Sequence, residues 1–225
     1  MKQKTISLSR EATLWEAGDV ARDIAVVETG RLGVRTEAGV VGMVLPKMVA
    51  GETALLALEA KPLPRGATLF SLDDDTRVVV SPAEAYRTAF EGGDTAAVEP
   101  IVRTLVGQTC RNLLMVVSAR AGDPYVEQPL IGLVRGLAQD VGKPLPARTW
   151  DAFMVTFSFL CEIRDMSDRI LGRLGPDASR RLELIEAASQ ALAQLPGSGD
   201  ARPMIEAFLA AERERTEWWA RGQTS

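Results

Sequence analysis

Hydrophobic positions change their period near residue 82. Before it, short apolar runs alternate with glycine turns. Thr13-Leu14-Trp15 runs into Glu16-Ala17-Gly18-Asp19, Ile24-Ala25-Val26-Val27 runs into Glu28-Thr29-Gly30, and Leu32-Gly33-Val34 resumes extended structure. Val40-Val41-Gly42-Met43-Val44-Leu45 follows Glu37-Ala38-Gly39, and two further runs, Ala67-Thr68-Leu69-Phe70-Ser71-Leu72 and Arg77-Val78-Val79-Val80, flank Asp73-Asp74-Asp75. β-Branched residues crowd these segments and pack better on a pleated surface than on a helix. Short strands at near-regular spacing predict a sandwich or small barrel.

After Ser81-Pro82 the pattern becomes helical. Pro82 opens a helix, and Gly92-Gly93-Asp94 supplies a break and an N-cap. From there to about Ser118 the sequence predicts one long helix, in which Val98, Val102, Leu105, Thr109, Asn112 and Val116 recur at alternating spacings of four and three. Such a seam packs either on the strand domain or on a second copy of the chain. Thr109 and Asn112 lean toward the second copy, because a polar seam residue is tolerated where it meets its symmetry mate. Beyond Ala121-Gly122-Asp123-Pro124 the pattern predicts helices at about 125–141, 149–174, 177–195 and 201–220, with Thr149, Asp177 and Asp200 as N-caps. Phe153, Phe157, Leu160, Cys161 and Ile170 form an apolar stripe expected in the core. Adjacent Trp218 and Trp219 cannot both face one core, so one of them docks elsewhere in the chain or on a partner. The expected organisation is an α+β protein with a strand domain over 1–93, a connecting and dimerisation helix over 94–120 and an all-α helical domain over 121–225.

Composition narrows the function classes. With 225 residues, 46% of them hydrophobic and 25% charged, the chain is ordinary for a globular protein. A net charge of −4 and the lack of any Lys/Arg cluster argue against a nucleic-acid surface. From residue 121 onward there are 12 Lys+Arg against 15 Asp+Glu, a balance that repels DNA. The chain contains no His, which removes the commonest general base and the usual zinc ligand. Its two cysteines, Cys110 and Cys161, sit in apolar helical contexts and read as reduced core thiols. No catalytic residue, metal or cofactor is expected, and the class expected is a binding protein rather than an enzyme. The start of the chain never becomes an apolar targeting segment, and its apolar runs stop far short of a membrane span, so the expectation is a cytoplasmic protein without membrane contact.

One segment carries candidate chemistry. Gly51-Glu52-Thr53-Ala54-Leu55-Leu56 and Pro64-Arg65-Gly66-Ala67-Thr68 place a carboxylate and a guanidinium at the two ends of one short connection. The pairing suits a sugar phosphate. A guanidinium offers a rigid fork of donors to phosphate oxygens, and a carboxylate accepts from a ribose hydroxyl. Small residues beside each charge let backbone N–H groups come close.

Together with these residues, Gly18-Asp19-Val20-Ala21-Arg22-Asp23-Ile24-Ala25-Val26-Val27-Glu28-Thr29-Gly30-Arg31-Leu32-Gly33-Val34 resembles the opening hairpin of cyclic nucleotide-binding domains, and the Gly-Glu…Pro-Arg-x-Ala-Thr segment resembles that family's phosphate-binding cassette. The resemblance covers about residues 10–120. It implies a jelly-roll β-barrel holding a purine 3′,5′-cyclic monophosphate, cyclic AMP or cyclic GMP, with a cyclic dinucleotide as a larger alternative. Arg65 would pair with the cyclic phosphate and Glu52 would accept from the ribose 2′-OH. Gly51, Thr53 and Ala54 would form a turn whose N–H groups face the phosphate, and Gly66 and Ala67 would line its edge. The chain departs from the family at Ala50, where an aromatic residue is usual, in the longer span from Glu52 to Arg65, and at Gly66, where Ser or Thr is common. The C-terminal half lacks a recognisable winged helix-turn-helix. The reading is therefore a homodimeric sensor whose long helix conveys ligand binding to a protein partner on the C-terminal helices. The alternatives are a DNA-binding regulator of the catabolite-activator type and a barrel retained as a scaffold.

Overall fold

The computed structural model describes residues 3–37, 39–59, 63–141, 143, 149–175, 177–195 and 201–222. The chain divides into two compact units, Met1–Val102 with Leu145–Val155, and Arg103–Pro144 with Thr156–Ser225. The division falls within the long helix, between Val102 and Arg103.

The first unit contains eight strands, β1 Lys4–Leu8, β2 Thr13–Trp15, β3 Asp23–Thr29, β4 Leu32–Thr36, β5 Gly39–Val44, β6 Val49–Ala50, β7 Thr68–Ser71 and β8 Thr76–Pro82. They form two four-stranded sheets, ordered β1-β8-β3-β6 and β2-β7-β4-β5. Every pairing is antiparallel and the strands nest: β1 on β8, β2 on β7, β3 on β6, β4 on β5. This is the connectivity of one long four-segment hairpin folded back over itself. Among the described residues no ladder joins the two sheets into a closed barrel. β1 and β6 lie outside the sequence expectation. β1 buries only Leu8, and β6 has two residues, so neither leaves a clear apolar period.

Ile24, Ala25, Val27, Leu32, Val49, Leu55, Phe70 and Val78 are buried in the first unit. A short helix α1 (Leu56–Glu59) follows β6, and α2 (Ala83–Glu91) follows β8. Phe90 of α2 packs on Trp150 and Phe153, with ring centroids 5.8 and 5.3 Å away. Arg31 grips Asp73 with two nitrogens, at 2.9 and 2.5 Å, and this hydrogen bonding holds the Asp73 carboxyl below its ordinary value.

The remaining helices are α3 (Glu99–Ala119), α4 (Pro124–Asp140), α5 (Trp150–Leu174), α6 (Ala178–Gln194) and α7 (Arg202–Gly222). Residues Thr95–Val98, expected as the start of the long helix, form a 3-10 turn instead. Asp177 caps α6 by accepting from the Arg180 N–H at 2.8 Å, and Thr149 Oγ1 accepts from Ala152 at 3.3 Å; Asp200 lies outside the described residues.

Within the second unit α3 is the central element. Gly107 admits the ring of Phe208 from α7, which a Cβ at that position would meet at 2.2 Å. Asn112 donates to Ser167 Oγ at 3.1 Å and to Asp168 at 2.8 Å, both on α5. Val98, Leu105, Thr109, Asn112 and Val116 are all buried by the chain itself. The seam, which suited either the strand domain or a second copy, is therefore largely covered, with Val102 half-buried. Ile170 also departs from expectation: Phe153, Phe157, Leu160 and Cys161 are buried, while Ile170 is exposed, because the buried face of α5 continues through Ser167 and Leu171.

Burial pushes the Cys110 thiol up to about 12, and its Sγ faces the Val134 carbonyl of α4 at 4.0 Å. The thiolate is the reactive species, so iodoacetamide at pH 8 should leave Cys110 unmodified in the folded protein and label it in denaturant. Peptide mass spectrometry reads both states.

Candidate functional site

The site is built where β6 ends. Gly51 takes the left-handed conformation, with φ 79°, and caps a 3-10 turn over Glu52–Leu55 that leads directly into α1. Only glycine fits there. A Cβ would stand 2.7 Å from the Trp15 ring, 2.8 Å from an Arg65 terminal nitrogen and 3.0 Å from the Asp23 carbonyl. Ala54 is fully buried, and its N–H donates to the Gly51 carbonyl at 3.0 Å. Its N–H therefore closes the turn.

Arg65 lies on an extended segment stitched to the β2–β3 connection. Its N–H donates to the Asp19 carbonyl at 2.7 Å, its own carbonyl accepts from Gly18 at 2.8 Å, and Ala21 donates to Leu63 at 2.9 Å. These bonds hold the guanidinium over the end of β3. Nη2 donates to the Asp23 carbonyl at 2.9 Å, and Cζ sits 3.4 Å from the centre of the Trp15 ring. Arg65 is 7% exposed, and its buried Nε has no hydrogen-bond partner. Burial lowers the Arg65 pKa, against the opposing pull of Asp23, Asp19 and Glu52. The guanidinium stays charged, since even a depressed Arg titrates far above neutrality.

The fold thus brings Gly51, Glu52 and Arg65 together although the last is well separated from the first two in sequence. Thr53 is half-buried on the 3-10 turn, Gly66 is exposed with open space around it, and Ala67 is half-buried just before β7. Three partners of Arg65 escaped the sequence reading: Trp15, the Asp23 carbonyl and Asp19. Trp15 sits in a predicted strand just before the Gly18 turn, a placement that does not show it facing Arg65. Backbone acceptors leave no mark on side-chain identity.

A cavity of about 450 Å³ lies beside this site, lined by Val20, Ala21, Arg22, Asp23, Ala57, Leu58, Pro82 and Glu84. None of the seven expected ligand residues lines it; its lining meets the Arg65 segment through Asp23, whose carbonyl accepts from Arg65, and through Ala21, which donates to Leu63. Among the described residues, no helix is long and apolar enough to cross a membrane.

No protein-family model matches the chain, and no curated protein matches it. Solved structures similar to it include the N-terminal domain of a transcriptional regulator from Streptomyces coelicolor, at 20% identity and TM-score 0.36, covering 45% of this chain and 70% of that one. A cyclic nucleotide-binding-like protein from Brucella abortus is 21% identical at TM-score 0.32, over 38% of this chain and 73% of its own. The cAMP-bound PfPKA-R fragment is 18% identical at TM-score 0.36, over 44% of this chain and 33% of its own.

Proposed function

We propose that the first unit is a jelly-roll receptor for a purine 3′,5′-cyclic monophosphate and that the chain is a non-catalytic sensor. The observation that supports this reading best is the unpartnered, buried Nε of Arg65 beside the Gly51–Glu52 turn. A buried donor without a partner costs about 1–3 kcal/mol, which a phosphate oxygen would recover. Glu52 is near enough to act on Arg65 electrostatically and would accept from the ribose hydroxyl. A cyclic monophosphate carries one negative charge, so one guanidinium suffices, although Asp19, Asp23 and Glu52 make the surroundings acidic and cap the affinity. The helical second unit would be the output module, biased by whatever difference in ligand affinity exists between two states.

Calorimetry with cyclic AMP, cyclic GMP and cyclic di-GMP tests the reading. Wild type should bind one of them, and Arg65→Ala should weaken binding by about 2 kcal/mol, roughly 30-fold. Silence with all three would overturn the proposal. It would favour the scaffold reading, which has its own support: Trp15 and the Asp23 carbonyl already hold Arg65 from within the fold.

A further inference from the structure

Helix α5 turns four large apolar side chains to solvent on the side away from its core stripe: Val155 (72% exposed), Phe159 (60%), Met166 (49%) and Ile170 (38%). Single exposed apolar residues are ordinary, but four on one face of a helix form an apolar stripe, here broken only by Glu162 at its middle. At 3.6 residues per turn they fall within about 60° of one another around the helix, and Glu162 and Arg173 lie in the same sector.

Their spacing is palindromic. Phe159 and Val155 stand as far before the midpoint between Glu162 and Ile163 as Met166 and Ile170 stand after it. A two-fold axis through that midpoint sets Phe159 against Met166 of a second copy and Val155 against Ile170, an isologous contact that closes on itself. The same operation brings exposed Asp151 to within one residue rise, about 1.5 Å, of the axial level of exposed Arg173 on the second copy. In a parallel pair Asp151 would meet Asp151 and Arg173 would meet Arg173. The charges therefore select the antiparallel arrangement.

We propose that the protein self-associates through an antiparallel α5–α5 pair. Glu162 lies beside the axis, so the two copies' carboxylates face each other and limit the affinity. A contact one helix wide falls short of the about 1,600 Å² of a standard interface, so the association is reversible and concentration dependent.

Sedimentation velocity on the full chain tests this. Wild type should rise from a 24.3 kDa monomer toward twice that mass as concentration increases. Phe159→Glu should weaken association at least about ten-fold while leaving thermal unfolding unchanged, because the side chain is largely in water. Glu162→Gln should tighten it several-fold. Mixed Val155→Cys and Ile170→Cys chains should form the 155–170 disulfide under mild oxidation rather than either homotypic product. A wild type that stays monomeric, or homotypic 155–155 and 170–170 cross-links, would overturn the proposal. None of these readouts depends on whether the first unit binds a nucleotide.

Discussion

Replacing Glu212 by glutamine should lower the stability of the helical unit by about 3–5 kcal/mol, the cost of removing one member of a buried ion cluster and leaving its partners uncompensated. Glu212 is 3% exposed. It accepts from Arg111 at 3.2 Å, from Arg181 at 2.5 Å and from Arg215 through both carboxylate oxygens. Three guanidinium groups from α3, α6 and α7 thus converge on one carboxylate, with Asp168 a second, more exposed anion 3.8 Å from Arg111. Without Glu212 the three cations repel one another in surroundings that screen them poorly. A control separates this from ordinary ion pairing. Arg213 of α7 and Glu186 of α6 form a 2.6 Å pair, but both are substantially exposed, and Arg213→Ala should cost about 0–1 kcal/mol. Chemical denaturation monitored by circular dichroism measures both.

The same cluster has a pH signature. Burial alone would push the Glu212 carboxyl up, but Arg111, Arg215 and Arg181 outweigh it and hold it well below the ordinary carboxylate range. A carboxyl depressed in the folded state contributes stability that is complete above its unfolded pKa of about 4.3 and is lost as pH falls below that value toward the folded pKa. Wild type should therefore lose stability on acidification from pH 5 to pH 2 more steeply than Glu212→Gln. Equal slopes would show that other carboxylates govern acid unfolding.

The second large effect belongs to the candidate site. Gly51→Ala should destabilise the strand unit by about 2–4 kcal/mol. A non-glycine residue in the left-handed region costs about 1–2 kcal/mol, and the new methyl must displace the Trp15 ring, Arg65 or the Asp23 backbone, each within 3.0 Å of it. Because Trp15 and the Asp23 carbonyl hold Arg65 in place, nucleotide affinity should fall at least as far as in Arg65→Ala. Gly66→Ala is the matched control from the same motif. A Cβ at Gly66 meets nothing within 4 Å, and stability should change by no more than about 0.5 kcal/mol. Urea titration of the two variants side by side decides the matter; similar losses would mean that the space around Gly51 is not what makes it necessary.

The contrast between these glycines shows how much of the site was legible in the sequence. Both stood in the candidate motif, and spacing could not rank them. Gly51 is required because β2, β3 and the Arg65 segment converge on it, a crowding that exists only after the sheets have folded. The Arg65 role was legible as a charge but not as a geometry: its stack on Trp15 and its bond to the Asp23 carbonyl arise from backbone pairing with residues 18–21.

By itself the sequence determined what short-range periodicity controls. The change from strands to helices near Pro82, the helices α4 to α7 within a few residues and the Asp177 cap all follow from local spacing and local hydrogen bonding. Tertiary structure alone decided which side of each element was used. The α3 seam suited either the strand domain or a second copy, yet Asn112 bonds across to α5 rather than to a symmetry mate. Ile170 counted as core by type and emerged on the surface of α5. The physical reason is common to both: amphipathic period specifies that a face will be buried, but the partner that buries it is chosen by the packing of segments far apart in the chain.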